Sequence, residues 1–345
     1  MAATKRRRSE MASSTERAQT EVKEAKSCKE QPTDKYAGAT KRIGEKYLIE
    51  APPSMFTVWE ICTKLNPSDP CGALEDIGLK LVGPFHEIAE KSEAAQAEWR
   101  YFYDPPEVVT IMVDTREPGR HWVYYVDSPG DVPVSVLVAA RAEDYKFRAA
   151  SDSLLSLVYD IAREHDEGGR IVEAIESVHT GKGDLVVSTN AWKARTRRTQ
   201  GTTFSGLGVL VPYDKHTEVG YRELPVSSKA LKGILDKIRE APPDKRDTSR
   251  LDEIFTWTNI GNDEGDFGMG LELGQDLFCA DKPGVPPVFT KPLTTILRNA
   301  YNLLGRKEFI PVLEAHMKWR VSQYESLESE FAGLAPGCQS LAEKP

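Results

Sequence analysis

No run of about 18 apolar residues occurs anywhere in this 345-residue chain, which excludes a membrane-spanning helix. Cysteine is sparse: Cys28, Cys62, Cys71, Cys279 and Cys338 are odd in number, scattered and without a CxxC pair. That spacing excludes a disulfide frame or a cysteine-built zinc site. The six histidines (His86, His121, His165, His179, His216 and His316) stand apart and lack ligand spacing. Phosphate-cradling motifs are missing too. No GK[ST] occurs, and Gly268-x-Gly270 meets its next glycine at Gly274, one residue too late for GxGxxG. The amino terminus has no apolar signal core, so the thiols are expected to be reduced in an intracellular protein.

Charge is divided unevenly. Residues 1–46 hold 12 Lys and Arg against 7 Asp and Glu, so within a net charge of −8 the remainder carries −13. A surface this negative repels nucleic acid, and direct sequence-specific DNA binding is not expected. Basic proteins, or a basic groove on another protein, are the natural partners. Residues 1–42 have almost no large apolar side chain before Tyr36 and are expected to be a disordered basic tail. Within that tail Lys5, Arg6, Arg7 and Arg8 form a short cluster compatible with nuclear import.

Hydrophobic content of 40% and charged content of 28% are ordinary for a globular protein. Order is expected from near Tyr47, with a helix after Pro52-Pro53-Ser54 carrying Met55, Phe56, Val58, Trp59, Cys62 and Leu65. Strands are predicted at 77–82, 98–103, 107–113, 121–126 and 132–139, separated by Pro/Gly turns as an antiparallel meander. Ser153 is placed to cap a helix with Leu154, Leu157, Val158 and Ile161. The stretch 166–203 reads as a polar loop whose basic run, Lys193, Arg195, Arg197 and Arg198, is solvated. A strand at 205–212, a strand or turn at 219–225, and helices at 229–239, 252–259 and twice within 292–319 complete the pattern. The class is α+β: an antiparallel strand-rich part (43–165) with a mixed α/β part (166–325), then a flexible tail at 326–345. No coiled-coil repeat appears, and a monomer is expected.

The stretch with most to explain is NDEGDFGMGLELGQDLF, residues 262–278, which sets five carboxylates among four glycines. Like charges repel and glycine weakens regular structure, so stability alone does not account for the pairing. An EF-hand fails, because a loop starting at Asn262 has Phe267 where glycine is required. Asp263 and Glu264 are adjacent and point in different directions in most backbones, so one can hold a partner while the other meets a reacting atom. No His, Cys or Ser nearby completes a nucleophilic set. The chain reads as owning part of an active site. Gly268, Gly270 and Gly274 are expected at tight turns, and Trp59 and Trp99 in the core.

That acidic block, together with VGYRELP (219–225), LKLVGP (79–84), RYFYDPPE (100–107) and AYNLL (300–304), resembles the histone PARylation factor family over roughly residues 46–320. The resemblance implies an accessory factor, not an enzyme on its own, that binds the catalytic domain of DNA-damage-activated poly(ADP-ribose) polymerases. It implies a joint active site in which the polymerase holds NAD, this chain binds no cofactor of its own, and Glu264 acts as general base for serine, histone-tail serines included. By the same resemblance Asp263, Tyr221 and Arg222 contact the polymerase, and Arg222 orients Glu264. The expected location is the nucleus, on chromatin at DNA damage. Two departures stand out. Segment 280–292 lacks the family's histidine and has extra prolines, and the tail, with Cys28 and no histidine, has no zinc finger. The competing reading is a nuclear acidic histone-binding adaptor without a chemical role.

Overall fold

The structure, a computed structural model, describes residues 34–90, 99–139, 144–178 and 185–332, with side chains to residue 325. The chain divides into two compact units after Gly38, and the unit from Ala39 onward carries the sheet and the acidic block. Helix α1 (Ala37–Tyr47) starts ahead of the onset expected near Tyr47, around buried Ile43. Helix α2 (Pro53–Leu65) begins with Pro53 in its first turn, where a missing N–H costs nothing, and buries Met55, Phe56, Val58 and Trp59. The Trp59 ring stacks at 6.3 Å on Phe85 of the short helix α3 (Pro84–Ile88). Trp99 is only half-buried and sits on left-handed backbone, φ 63°, so the core role expected for it is not met.

Five strands form one antiparallel meander in chain order: β1 (Leu79–Leu81), β2 (Val108–Asp114), β3 (His121–Tyr125), β4 (Ser135–Ala139) and β5 (Phe147–Ser151). Val108, Val123, Tyr125, Leu137 and Phe147 build a cluster on the sheet that Leu207 and Trp192 cover. The mixed class is therefore α+β, as the sequence indicates. The strand expected at 98–103 does not form among the described residues. Asp104 closes a turn instead, accepting the Tyr101 N–H at 3.0 Å, while Tyr101 stacks on His121 and Tyr103 donates to the Asp281 carbonyl. The fifth strand, 147–151, is one that the sequence pattern did not indicate.

Ser153 caps helix α4 (Leu154–His165), its hydroxyl accepting the Ser156 N–H, as expected. The loop expected at 166–203 contains two helices, α5 (Arg170–Val178) and α6 (Asn190–Thr196). Asp166 initiates the first by accepting the N–H groups of Ile171 and Val172, and Ile171 and Ile175, one turn apart, are fully buried. The basic run is not uniformly solvated either. Arg195 is 4% exposed and paired with Asp127 at 2.6 Å, and it donates to the carbonyls of Leu207 and Gly208. Those carbonyls are thereby lost to any ladder. With Gly206 and Gly208 on left-handed backbone, the strand predicted at 205–212 reduces to a bridge between Gly201 and Val209.

Helices α7 (Ser228–Glu240), α8 (Ser249–Asp263), α9 (Phe267–Phe278), α10 (Thr290–Leu303) and α11 (Phe309–Ala332) complete the fold. The break between the last two comes at Gly305, on left-handed backbone with φ 69°. Cys62, Cys71 and Cys279 are buried and not joined in disulfides. The basic cluster at residues 5–8, Cys28, Cys338 and His179 lie outside the described residues. Among the described residues no helix is long and apolar enough to cross a membrane.

Candidate functional site

The acidic block folds as a helix end, a turn and a new helix. Asp263 is the last residue of α8, Glu264 caps it, and α9 starts three residues on. The turn is made at Gly265, with φ 96°. The glycines expected at turns are inside α9 instead. A methyl group on Gly274 would come within 2.4 Å of the Leu297 side chain of α10, and one on Gly268 within 2.8 Å of Val211 and 2.9 Å of the Tyr221 ring. Close approach of neighbouring elements, not turn geometry, selects glycine there.

Packing this tight encloses the helix: every residue from Gly268 to Phe278 is buried. Glu272 and Asp276, one turn apart, therefore lie inside. Glu272 accepts the Tyr221 hydroxyl at 2.8 Å, and Asp276 accepts the Phe204 N–H at 2.7 Å. Burial pushes both carboxyls above the usual carboxylate range, against those hydrogen bonds. Burial, and then the Glu272 charge, likewise push the Tyr221 phenol up, so it stays a proton donor. Of the five carboxylates in residues 262–278, Glu272 and Asp276 are thus removed from the surface.

What faces solvent is the pair at the end of α8. A carboxylate at a helix C-terminus sits against the macrodipole, so its place is not explained by helix stability. Glu264 has a side chain 53% exposed and takes Nη2 of Arg222 on Oε2 at 2.5 Å. The same nitrogen reaches Oδ2 of Asp266 at 2.9 Å, and that carboxylate is 4% exposed. Asp266 also accepts the Gly220 N–H at 3.0 Å, while the Gly268 N–H donates to the Gly220 carbonyl at 2.9 Å. Gly220 is obligatory there: its φ is 118°, and a methyl group would lie 2.1 Å from the Pro212 carbonyl oxygen. Segment 220–222 is thus stitched to the acidic turn, and Arg222 spans an exposed and a buried carboxylate. The bond to Glu264, ahead of the two charges, raises the Arg222 pKa further. Asp263 is exposed and forms no ion pair among the described residues.

A cavity of about 1270 Å³ is lined by Tyr221, Arg222, Glu264 and Asp266 together with Arg197 and Arg198. On α8, Trp257 and Ile260 precede Glu264 at helical spacing and are 47% and 39% exposed, and Val219, 43% exposed, lies against the Gly265 turn. Tyr221, Arg222 and Glu264 are therefore brought to one cavity, whereas Asp263 is exposed at the end of α8 and does not line it. Asp266, Glu272 and Gly220, which hold that surface in shape, were not singled out from the sequence. The signal for Glu272 and Asp276 was present as acids four apart on an otherwise apolar helix. Among the described residues no group of three or more His, Cys, Asp or Glu side chains is placed to hold a metal ion.

Residues 38–320 match the family model described as histone PARylation factor 1. Histone PARylation factor 1 of Bos taurus is 32% identical over 322 residues, covering 86% of this chain and 90% of the relative. That of Danio rerio is 33% identical over 322 residues, covering 87% and 91%. A putative histone PARylation factor 1-like protein of Homo sapiens is 30% identical, covering 86% and 90%. The motif-level resemblance holds along the whole folded region.

Proposed function

The chain belongs to the histone PARylation factor 1 family, and from that premise we propose that it docks on the catalytic domain of a poly(ADP-ribose) polymerase and completes a joint active site. The polymerase holds NAD; this chain supplies Glu264 as the general base that lets serine, including serine of histone tails, accept ADP-ribose. The work is nuclear, on chromatin at damaged DNA. The chain has no such activity alone.

One observation carries the reading. Glu264 is a half-exposed carboxylate at the end of a helix, held at one oxygen by Arg222 and free of any hydrogen bond on Oε1 among the described residues. Breaking the nicotinamide–ribose bond leaves positive character on the ribose carbon, as in glycoside cleavage. A carboxylate acceptor is already ionised and attacks unaided, whereas a serine hydroxyl must shed its proton as the new bond forms. A general base within hydrogen-bond reach of that hydroxyl is worth about 10²–10⁴-fold. The Arg222 contact fixes the direction of the carboxylate. Trp257, Ile260 and Val219 give the docked enzyme apolar contact beside the base, and unpaired Asp263 offers it a charge.

The test is Glu264→Gln, which keeps size and removes the base. Polymerase-dependent serine modification is expected to fall by about 10²-fold or more, while affinity for the polymerase catalytic domain stays within a few-fold. Unchanged serine modification would leave the acidic histone-binding adaptor as the surviving account.

A further inference from the structure

The cavity beside Glu264 has a second, basic wall that the proposed chemistry does not use. Arg197 and Arg198 follow directly on α6, and Lys215 sits in the turn between Asp214 and Val219, which pair in an antiparallel bridge. All three are exposed, and among the described residues none forms an ion pair. They are not needed to finish the helix, whose last carbonyls already accept backbone N–H groups: Arg197 N–H bonds to Lys193 O and Arg198 N–H to Arg195 O. Arg195, two residues earlier, is the member of the run spent on the fold. The wall is held firmly. Gln200 donates to the Arg198 carbonyl at 2.8 Å and accepts the Val211 N–H at 3.0 Å, fixing the backbone of Arg198 to the segment that carries Tyr213. The half-buried Tyr213 lines the same cavity.

Resting on the function proposed above, we infer that this wall binds a diphosphate-bearing nucleotide group of the ADP-ribosyl class, with Arg197, Arg198 and Lys215 on the diphosphate and Tyr213 against the base. Guanidinium forks match phosphate oxygens two at a time. Three positive charges suit a diphosphate and are in excess for a single carboxylate. An aromatic ring next to the cations supplies the stacking surface that a nucleobase takes and an acidic peptide does not. The chain carries −8 overall, so a patch of three unpaired cations draws anions locally against the general field. Glu218 and Glu223 also line the cavity, and Arg222 is engaged by Glu264 and Asp266, which sets the anion towards Arg197 and Arg198 and away from Glu264. At about 1270 Å³ the space exceeds the roughly 300–1,000 Å³ of a small-ligand pocket.

The experiment is calorimetric titration of the full chain, without polymerase, with ADP-ribose, inorganic pyrophosphate and an aspartate-rich peptide in moderate salt. ADP-ribose is expected to bind saturably and more tightly than the peptide. Arg197→Ala with Arg198→Ala should weaken it tenfold or more with an unaltered melting curve. Tyr213→Ala should weaken ADP-ribose but not pyrophosphate, and the double arginine-to-lysine variant should keep part of the affinity. Equal binding of the acidic peptide, or unchanged binding in the double alanine variant, overturns the assignment. Glu264→Gln separates the two readings, since it is expected to lose serine modification and retain ADP-ribose. If serine modification survives in Glu264→Gln while ADP-ribose still binds, the general-base reading falls and the basic wall stands.

Discussion

The Tyr221 hydroxyl donates to the buried Glu272 carboxylate at 2.8 Å, linking the exposed segment 220–222 to the interior of helix α9. The Gly201 backbone passes so close to this pair that a methyl group there would lie 2.7 Å from the carboxylate and 2.8 Å from the phenol oxygen. Tyr221→Phe keeps the ring and removes the donor, leaving the buried Glu272 carboxyl with the Thr202 N–H but without the phenol. A loss of about 1–3 kcal/mol follows, read by urea denaturation. The double variant with Glu272→Gln should cost less than the two single losses added together, and strict additivity would show that the hydroxyl and the carboxylate do not cooperate.

The Arg222 side chain is 47% exposed, so its pair with half-exposed Glu264 contributes little to folding, and the buried partner Asp266 keeps the Gly220 N–H when Arg222 is removed. Arg222→Ala should move stability by less than about 1 kcal/mol while sharply reducing polymerase-dependent serine modification. Arg222→Lys brings a single point charge that cannot be shared between Glu264 and Asp266 as the guanidinium is, and should recover only part of the activity. A thermal transition lowered by many degrees in the alanine variant would make the residue structural.

Asp276 provides a pH test. Burial raises its carboxyl well above the ordinary value of 3.8, so the folded state holds that proton more tightly than the unfolded chain does. A raised pKa contributes stability below the unfolded value that is lost as pH rises through the folded one. Asp276→Asn, whose amide oxygen can still accept the Phe204 N–H, should therefore raise the melting temperature at pH 7–8 by on the order of 1 °C or more. The advantage should shrink as pH falls towards 4. A gain that is the same at both ends of the range would contradict the buried-charge account.

Gly274→Ala reverses the usual helix rule. In an exposed helix interior the change is stabilising by roughly 0.5–1 kcal/mol. Here the added carbon meets the Leu297 side chain at 2.4 Å, and that side chain or its helix must shift. Overpacking of this kind costs about 1–3 kcal/mol, visible as a lower urea midpoint. Leu297→Ala in the same chain should return part of the loss.

Local patterns were legible where one strong signal decided the matter. Ser153 before an apolar stripe marked a helix start, Pro52-Pro53 marked another, and alternating apolar residues between Pro/Gly turns gave β1 to β4. The errors come from long-range contacts. Nothing in SGLGVLVP shows that Arg195 will occupy its carbonyls, and nothing in RYFYDPP shows that aromatic side chains will pack elsewhere while Asp104 turns the chain. At the site, adjacent acids and VGYRELP pointed to the surface residues. The buried acids and the helix that encloses them were hidden because a run of glycines reads as loop unless the neighbouring helix is known. Leu297, twenty-three residues further on, is what turns Gly274 into a packing residue.

Because α9 is walled in on every side from Gly268 to Phe278, the turn that precedes it is mounted on a fixed post. On the function proposed above, a docking enzyme meets Glu264 on a turn that is already formed. On that same proposal, the entropy cost at this turn is confined to a few side-chain rotamers. An association of this type proceeds as one rigid surface meeting another, and its dissociation rate reports the quality of that fit.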